Sequence, residues 1–314
     1  MAKIGTSDLD VTPLCLGGNT FGWTSDRDES HVVLDAFVEG GGNFIDTADV
    51  YSAWVPGNQG GESETIIGEW LTRRGRRDDV VVATKVAQHP LFPGLAPDNV
   101  TRAANASLSR LRTDHIDLYY AHQEDPKTPV EESVAAFAAL QKDGKVRHVG
   151  LSNFSAEAIR AWIEAADEQG VERPVALQPH YNLVHRTDFE DNLRASAEKY
   201  HLGVMPYWSL AAGLLTGKYH SDADISGARS DTVKGYASPE AFAVVELLRQ
   251  VAAVHSVQPA SVALRWLALQ PTVVAPIASA RTVAQVAPLL ASVDLTLTSE
   301  EVAGLDRVSS LVGR

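Results

Sequence analysis

The chain has one cysteine, Cys15, in 314 residues. That excludes an internal disulfide framework and a thiolate-rich metal centre, suits a reducing compartment, and leaves no metal expected. Long apolar runs are missing too: no window approaches the ~20 residues of a membrane-spanning helix, and Met1-Ala2-Lys3-Ile4-Gly5 lacks the apolar core of a signal peptide. The chain therefore reads as soluble and cytoplasmic. Positive charge is scarce, with 27 Lys and Arg against 40 Asp and Glu and a net charge of -13. Nucleic acid and anionic membranes, which need clustered cations, are poor partners for such a chain. A small-molecule partner is expected instead, and the oligomeric state is left open. G-x-G-x-x-G is absent as well. The runs from Gly17 to Gly22 and from Gly57 to Glu62 have the wrong spacing, so the fingerprint of an open dinucleotide-binding sheet is missing.

What is present is alternation. Short runs rich in Val, Ile, Leu and Tyr alternate with helical patterns of roughly ten to fifteen residues, the mark of parallel βαβ units. Eight strands are expected, at Leu14 to Gly17, Phe44 to Thr47, Val80 to Val86, Ile116 to His122, Arg147 to Ser152, Val175 to Pro179, Gly203 to Trp208 and Val273 to Ile277. Helix starts are marked by Ser25, Pro129, Ser155 and Pro239, and ends by Gly40, Gly144 and Gly170. Eight such units predict an α/β chain folded as one (β/α)8 barrel (TIM barrel) domain over residues 1–314. An open doubly wound sheet is the alternative by pattern alone, but it lacks its fingerprint and no linker halves the chain. Residues before Leu14 are expected to form a hairpin plugging one barrel end, and helices to close the C-terminus. The polar stretch from Lys218 to Ser238 is expected to be a mobile loop over one barrel face.

Barrel active sites gather at strand C-terminal ends, so polar residues ending apolar runs matter most. Asp46 follows Asn43-Phe44-Ile45, Lys85 ends Val80 to Thr84, His122 ends Ile116 to Ala121, and Tyr51 lies in the loop after Asp46. Each has an ordinary alternative as cap, core or packing residue. Lys85 stands apart, because an ammonium inside a covered sheet must be paired or lose its charge. Together they suggest that Asp46 pairs with Lys85, that the ammonium lies against the Tyr51 hydroxyl, and that His122 orients a substrate carbonyl. A phenol's ordinary pKa near ~10 makes it a weak acid at neutral pH, and an adjacent cation is expected to lower it. The set would protonate an aldehyde or ketone receiving hydride from a nicotinamide.

The segments "GGNFIDTADVY", "VVVATKV", "DLYYAHQ", "KVRHVGLSNFS", "ALQPHYNLVHR" and "LAAGLLTGKY", in this order, resemble the aldo-keto reductase family from the first strand to the eighth. The resemblance implies an NADPH-dependent oxidoreductase that reduces carbonyls to alcohols. Tyr51 would be its proton donor, Lys85 and Asp46 the tuning pair, and His122 the orienting residue. It also implies a cofactor site. Ser152, Asn153 and Gln178 would hold the nicotinamide carboxamide, and Tyr207 would stack on the ring. Trp208, Ser209, Leu210, Ala212, Gly213, Leu215 and Lys218 would pass over the pyrophosphate. Gly18, Asn19 and Thr20 would contribute after the first strand, with Asp46 beside them. Ile277, Ser279, Ala280, Arg281 and Gln285 would meet the adenosine part, with Arg281 on a 2'-phosphate.

Three departures stand out. Tyr207-Trp208-Ser209-Leu210 replaces the family's Tyr-Ser-Pro-Leu, Ala278-Ser279 replaces Pro-Gly, and Pro288-Leu289 replaces the Glu-Asn pair near the adenine. A substrate pocket of Asn19, Phe21, Trp23, Trp54, His89, Phe92 and Trp208 suits a hydrophobic carbonyl compound, with no Arg or Lys cluster beyond Lys85. Two further functions stay open: an NAD-dependent dehydrogenase of alcohols or sugars, and a nicotinamide-sensing regulatory subunit.

Overall fold

The structure, a computed structural model, describes residues 1–313. Eight parallel strands form the central sheet: β1 Cys15–Gly17, β2 Phe44–Asp46, β3 Val81–Val86, β4 Ile116–Ala121, β5 Val146–Ser152, β6 Ala176–Gln178, β7 Gly203–Val204 and β8 Ile277–Ala278. They pair in sequence order, and β8 returns to pair with β1. Closure comes from the segment leading into β8. The Val204 amide donates to the Thr272 carbonyl at 2.9 Å, and Val274 and Ile277 donate to the carbonyls of Val204 and Pro206, each at 2.9 Å. The sheet is therefore a closed barrel. Most strand bounds fall within a residue or so of expectation, but two strands are much shorter. β7 ends before Pro206, which has no N–H for the ladder, and before Trp208, held at φ 54°. β8 becomes regular only after Pro276.

Strand alternation decides what lies inside. Cys15, Phe44, Val81, Ala83, Leu118, Tyr120, Ala176 and Ile277 form one buried cluster that fills the barrel. Residues two positions further along those strands continue on the same face, so Phe44 leads to Asp46, Ala83 to Lys85, Tyr120 to His122 and Ala176 to Gln178. Four polar side chains thus converge at one end because apolar ones alternate beneath them. Gly150 makes room there, since a Cβ would lie 2.4 Å from the Tyr120 ring. The opposite end is closed by an antiparallel pair, Ala2–Lys3 with Asp10–Val11, whose Ile4, Leu9 and Val11 join the interior cluster.

The outer layer begins with α1 (Arg27–Glu39), α2 (Glu62–Arg74), α3 (Pro97–Leu111), α4 (Val130–Lys142) and α5 (Ala156–Gln169), and later includes helices at Pro239–His255, Pro259–Ala268, Val283–Asp294 and Ser299–Ser309. Asp26, one residue after the expected Ser25, caps α1: its side chain accepts from the Glu29 amide, and Glu29 accepts from the Asp26 amide. Ser155 caps α5, and Ser238 caps the helix whose first turn holds Pro239. Residues 218–238 are more ordered than a bare loop. They include a 3-10 turn at Asp222–Asp224 and a short helix at Ser230–Lys234, and they bury Tyr219, Ile225 and Val233. Arg249 fastens the start by donating to the carbonyls of Gly217 and Tyr219 at 2.8 and 2.7 Å.

Candidate active site

Lys85 is completely buried, and its ammonium has three acceptors for three N–H bonds. Asp46 Oδ2 and the Thr47 carbonyl each lie 2.6 Å from Nζ, and the Tyr51 oxygen lies 3.1 Å away. Asp46 is equally occupied: Oδ2 also accepts from the Tyr51 hydroxyl at 3.3 Å, and Oδ1 accepts from Gln178 Nε2 at 2.9 Å. The loop carrying Tyr51 is pinned from both sides. Thr47 Oγ1 donates to Ser63 Oγ, and Ser52, at φ 69°, donates its hydroxyl to the Phe21 carbonyl at 2.7 Å. A non-glycine residue in the left-handed region is held there only by such surroundings.

The phenol departs from expectation. Burial and the Asp46 carboxylate push the Tyr51 hydroxyl well above its ordinary pKa, so the net shift is upward despite the neighbouring ammonium. Tyr51 holds its proton, and Lys85 stands ready beside the oxygen that would lose it. At the end of β4, His122 sits with its ring centroid 6.4 Å from that of Tyr51. Burial and the Lys85 charge hold the imidazole well below its usual pKa, so it is neutral. Its Nδ1 is buried with no hydrogen-bond partner among the described residues.

The three residues assigned to a carboxamide lie together but are bonded to the protein. Gln178 gives its amide N–H to Asp46, and Ser152 Oγ donates to the Gln178 carbonyl at 2.9 Å. Asn153 Nδ2 donates to the His122 carbonyl at 2.8 Å, and its Oδ1 accepts from the Tyr207 hydroxyl at 2.7 Å. Thr20, Ser209, Leu215 and Ala280 have buried side chains committed to the protein; Thr20 Oγ1, for example, donates to the Ala280 carbonyl. Asn19 Oδ1 accepts from Ser279 Oγ at 2.7 Å, which joins the β1 and β8 loops.

The expected substrate set divides. Trp23 meets Trp54 edge-on with centroids 5.6 Å apart, and Trp54, half exposed, lies 6.2 Å from Tyr51. These two and Trp208 border the mouth. Phe21 does not, because it is fully buried in the outer core. His89 does not either: it is buried, its Nδ1 accepts from the Leu91 amide at 3.0 Å, and its ring packs on Phe92. Phe92 lies under the Arg102 guanidinium, 5.8 Å away. No cluster of Arg or Lys is expected beyond Lys85, and the structure adds a single arginine that the set did not include. Arg229, on the 218–238 segment, places its guanidinium 5.2 Å from Trp23 and 5.7 Å from Trp208 and donates to Asn19 Oδ1 at 3.3 Å. Nothing local in the sequence marks this arginine, because only the fold of the segment carries it to the mouth.

The comparisons decide the family. Residues 13–310 match the aldo/keto reductase family model. The chain belongs to the aldo/keto reductase family. Protein tas of Escherichia coli (strain K12) is 30% identical, covering 98% of this chain and 96% of its own. Aldo-keto reductase str7 of Strobilurus tenacellus is 33% identical, covering 98% and 89%. A probable voltage-gated potassium channel subunit beta of Arabidopsis thaliana is 31% identical, covering 93% and 90%. This aldo/keto reductase is thus an oxidoreductase of a family that generally uses nicotinamide cofactors.

Its residues fit such a group. Ala211, Ala212 and Gly213 stand in succession at φ 47°, 56° and 111°, a small-residue turn over which an anion can approach backbone. A Cβ at Gly213 would lie 3.4 Å from Lys218 Nζ. Lys218, Arg229 and Arg281 form no ion pair with a carboxylate among the described residues. Arg281 directly precedes the N-terminus of the Val283–Asp294 helix, where the helix dipole also favours an anion.

Proposed function

We propose that this aldo/keto reductase reduces aldehyde or ketone carbonyls to alcohols with NADPH, Tyr51 acting as general acid. The reading rests on one observation: a protonated phenol, 3.1 Å from a buried ammonium, shares a carboxylate oxygen with it. When bound, the nicotinamide supplies the hydride that adds to the carbonyl carbon. As that carbon–oxygen double bond becomes single, the oxygen takes the Tyr51 proton. Lys85 stabilises the resulting phenolate through the N–H already aimed at it, and Asp46 and Thr47 fix the direction of that N–H. His122 acts as a neutral donor. With no acceptor beside Nδ1, the proton belongs on Nε2, because a buried unpaired N–H is the costlier orphan.

Gln178, Asn153 and Ser152 would hold the carboxamide, and Tyr207 would support the ring. Lys218, Arg229 and Arg281 would meet the phosphates, with Arg281 selecting NADPH over NADH. The Trp23, Trp54 and Trp208 rim suits a hydrophobic carbonyl compound. The protein would act in the cytoplasm on small molecules, without nucleic acid or membrane. The test is to titrate the chain with NADPH and NADH by tryptophan fluorescence, then assay a panel of aldehydes and ketones. Binding of NADPH with turnover of one class supports the reading. Binding without turnover favours a nicotinamide-sensing subunit, and preference for NADH favours an NAD-dependent dehydrogenase.

A further inference from the structure

His180 lies two residues beyond β6, outside the Asp46, Tyr51, Lys85 and His122 constellation. Its ring is stacked between two others: His185, with centroids 3.6 Å apart and planes 13° from parallel, and Tyr207, at 5.3 Å and 17°. The backbone supports the Tyr207 side, where the Tyr207 amide donates to the Pro179 carbonyl at 2.9 Å. Asn182 adds a second tie by donating from Nδ2 to the Trp208 carbonyl at 2.9 Å. The turn at 180–185 is therefore a fixed base under Tyr207 and Trp208.

A partner distant in sequence meets this base. Tyr236, at the far end of the 218–238 segment, places its hydroxyl 2.7 Å from His180 Nε2, with its ring edge-on at 84°. The other end of the segment is held by Arg249, and its middle reaches the mouth through Arg229. One imidazole thus touches both the aromatic ring under the proposed nicotinamide position and the end of the segment carrying the proposed phosphate contacts.

We propose that His180 is a positioning residue, the common support that couples closure of the 218–238 segment, through Tyr236, to the placement of Tyr207. The proposal rests on the nicotinamide reading of the site. Its consequence is kinetic: the Tyr236 bond slows opening of the segment and release of the cofactor without entering hydride or proton transfer. Burial and His185 hold the His180 pKa down to about 4, and burial holds the Tyr236 hydroxyl well above its ordinary value, so both partners are neutral across physiological pH.

The test uses the full chain and three variants, Tyr236→Phe, His180→Phe and the double substitution. Tyr236→Phe removes only the hydroxyl. His180→Phe removes the ring nitrogen but keeps an aromatic plane against Tyr207. The first readout needs no cofactor: limited trypsin digestion followed by mass spectrometry, scoring cuts after Lys218, Arg229 and Lys234. Each single variant is expected to be cut about tenfold faster there, as loss of one hydrogen bond allows, and the double variant no faster than either. Cuts elsewhere should be unchanged. The second readout is stopped-flow displacement of NADPH, with release about tenfold faster and single-turnover reduction within about twofold of the parent chain.

Unchanged cleavage in Tyr236→Phe, or fully additive effects in the double variant, would overturn the clasp. Faster cleavage with unchanged NADPH release would overturn its coupling to Tyr207. If the parent chain binds neither NADPH nor NADH, the nicotinamide reading and the coupling fall together, and the digestion still decides whether the clasp exists.

Discussion

Asp46 Oδ2 accepts two hydrogen bonds, from Lys85 Nζ at 2.6 Å and from the Tyr51 hydroxyl at 3.3 Å. That shared oxygen explains why the phenol keeps its proton beside an ammonium. The carboxylate favours the protonated phenol, and the ammonium becomes worth most when that proton has left. The arrangement stores a proton and prepares for its loss.

Tyr51→Phe removes the proton and leaves the ring. NADPH affinity should stay within a few fold, while aldehyde reduction falls by at least ~10²-fold, the low end of a general-acid contribution. Cofactor titration beside steady-state assays separates the two effects. Near-normal turnover would remove Tyr51 from the proposed role.

Lys85→Met should harm both fold and reaction. The substitution leaves Asp46 buried without its cation, a change that typically costs about 3 to 5 kcal/mol. Thermal unfolding should reveal that loss, and adding Asp46→Asn should recover part of it. In turnover, the Tyr51→Phe and Lys85→Met penalties should fail to add, because the two residues act on one proton. Full additivity in the double variant would show that they work separately.

The contrast between these residues and others shows where sequence reading works. Asp46, Lys85 and His122 were legible because each continues the inward phase of an apolar strand, so period-two alternation carries a polar group to the barrel mouth; Gln178 lies in the same phase but was reached only through the family resemblance. Phe21 and His89 misled because an aromatic or imidazole in a loop after a strand looks the same whether it borders a pocket or packs beneath it. The ends of β7 and β8 fell elsewhere because Pro206 and Pro276 interrupt ladders that their apolar neighbours would otherwise extend. Arg229 and the His180–Tyr236 pair were invisible. Their partners lie 210 and 56 positions away, and only the closed path of the 218–238 segment brings them together.

Asp49 predicts a pH dependence of stability. Both carboxyl oxygens are buried without a partner among the described residues, and burial together with Glu64 pushes this acid well above its ordinary value. The unfolded chain ionises Asp49 near pH ~3.9, whereas the folded one resists doing so. The folded state therefore binds more protons in that interval, and Asp49 removes stability as pH rises from about 4 toward its raised folded value, by up to about 1.4 kcal/mol for each pH unit crossed. Asp49→Asn should be more stable than the parent at pH 7, with the gap closing toward pH 4. Chemical denaturation at both pH values checks this, and a gap that widens in acid would refute it.

The last prediction concerns cofactor choice. Arg281 is exposed, has no carboxylate partner among the described residues, and stands just ahead of the helix beginning at Val283, with its own amide donating to Gln285 Oε1 at 2.8 Å. Since the backbone is fixed by Gln285, the guanidinium is free to meet a 2'-phosphate. A charge-assisted, bidentate contact contributes about 1.5 to 3 kcal/mol, so NADPH should bind about ten- to a hundredfold more tightly than NADH. Arg281→Ala should erase most of that gap by weakening NADPH alone, because NADH carries no phosphate for the side chain to lose. Arg229 supplies the control. Its place beside Trp23 and Trp208 suits a contact to the phosphates that both cofactors share rather than to the 2'-phosphate, so Arg229→Met should weaken both cofactors alike. Titrating the parent and both variants with both cofactors separates the two arginines. Equal weakening of NADPH and NADH by Arg281→Ala would show that this arginine does not read the phosphate.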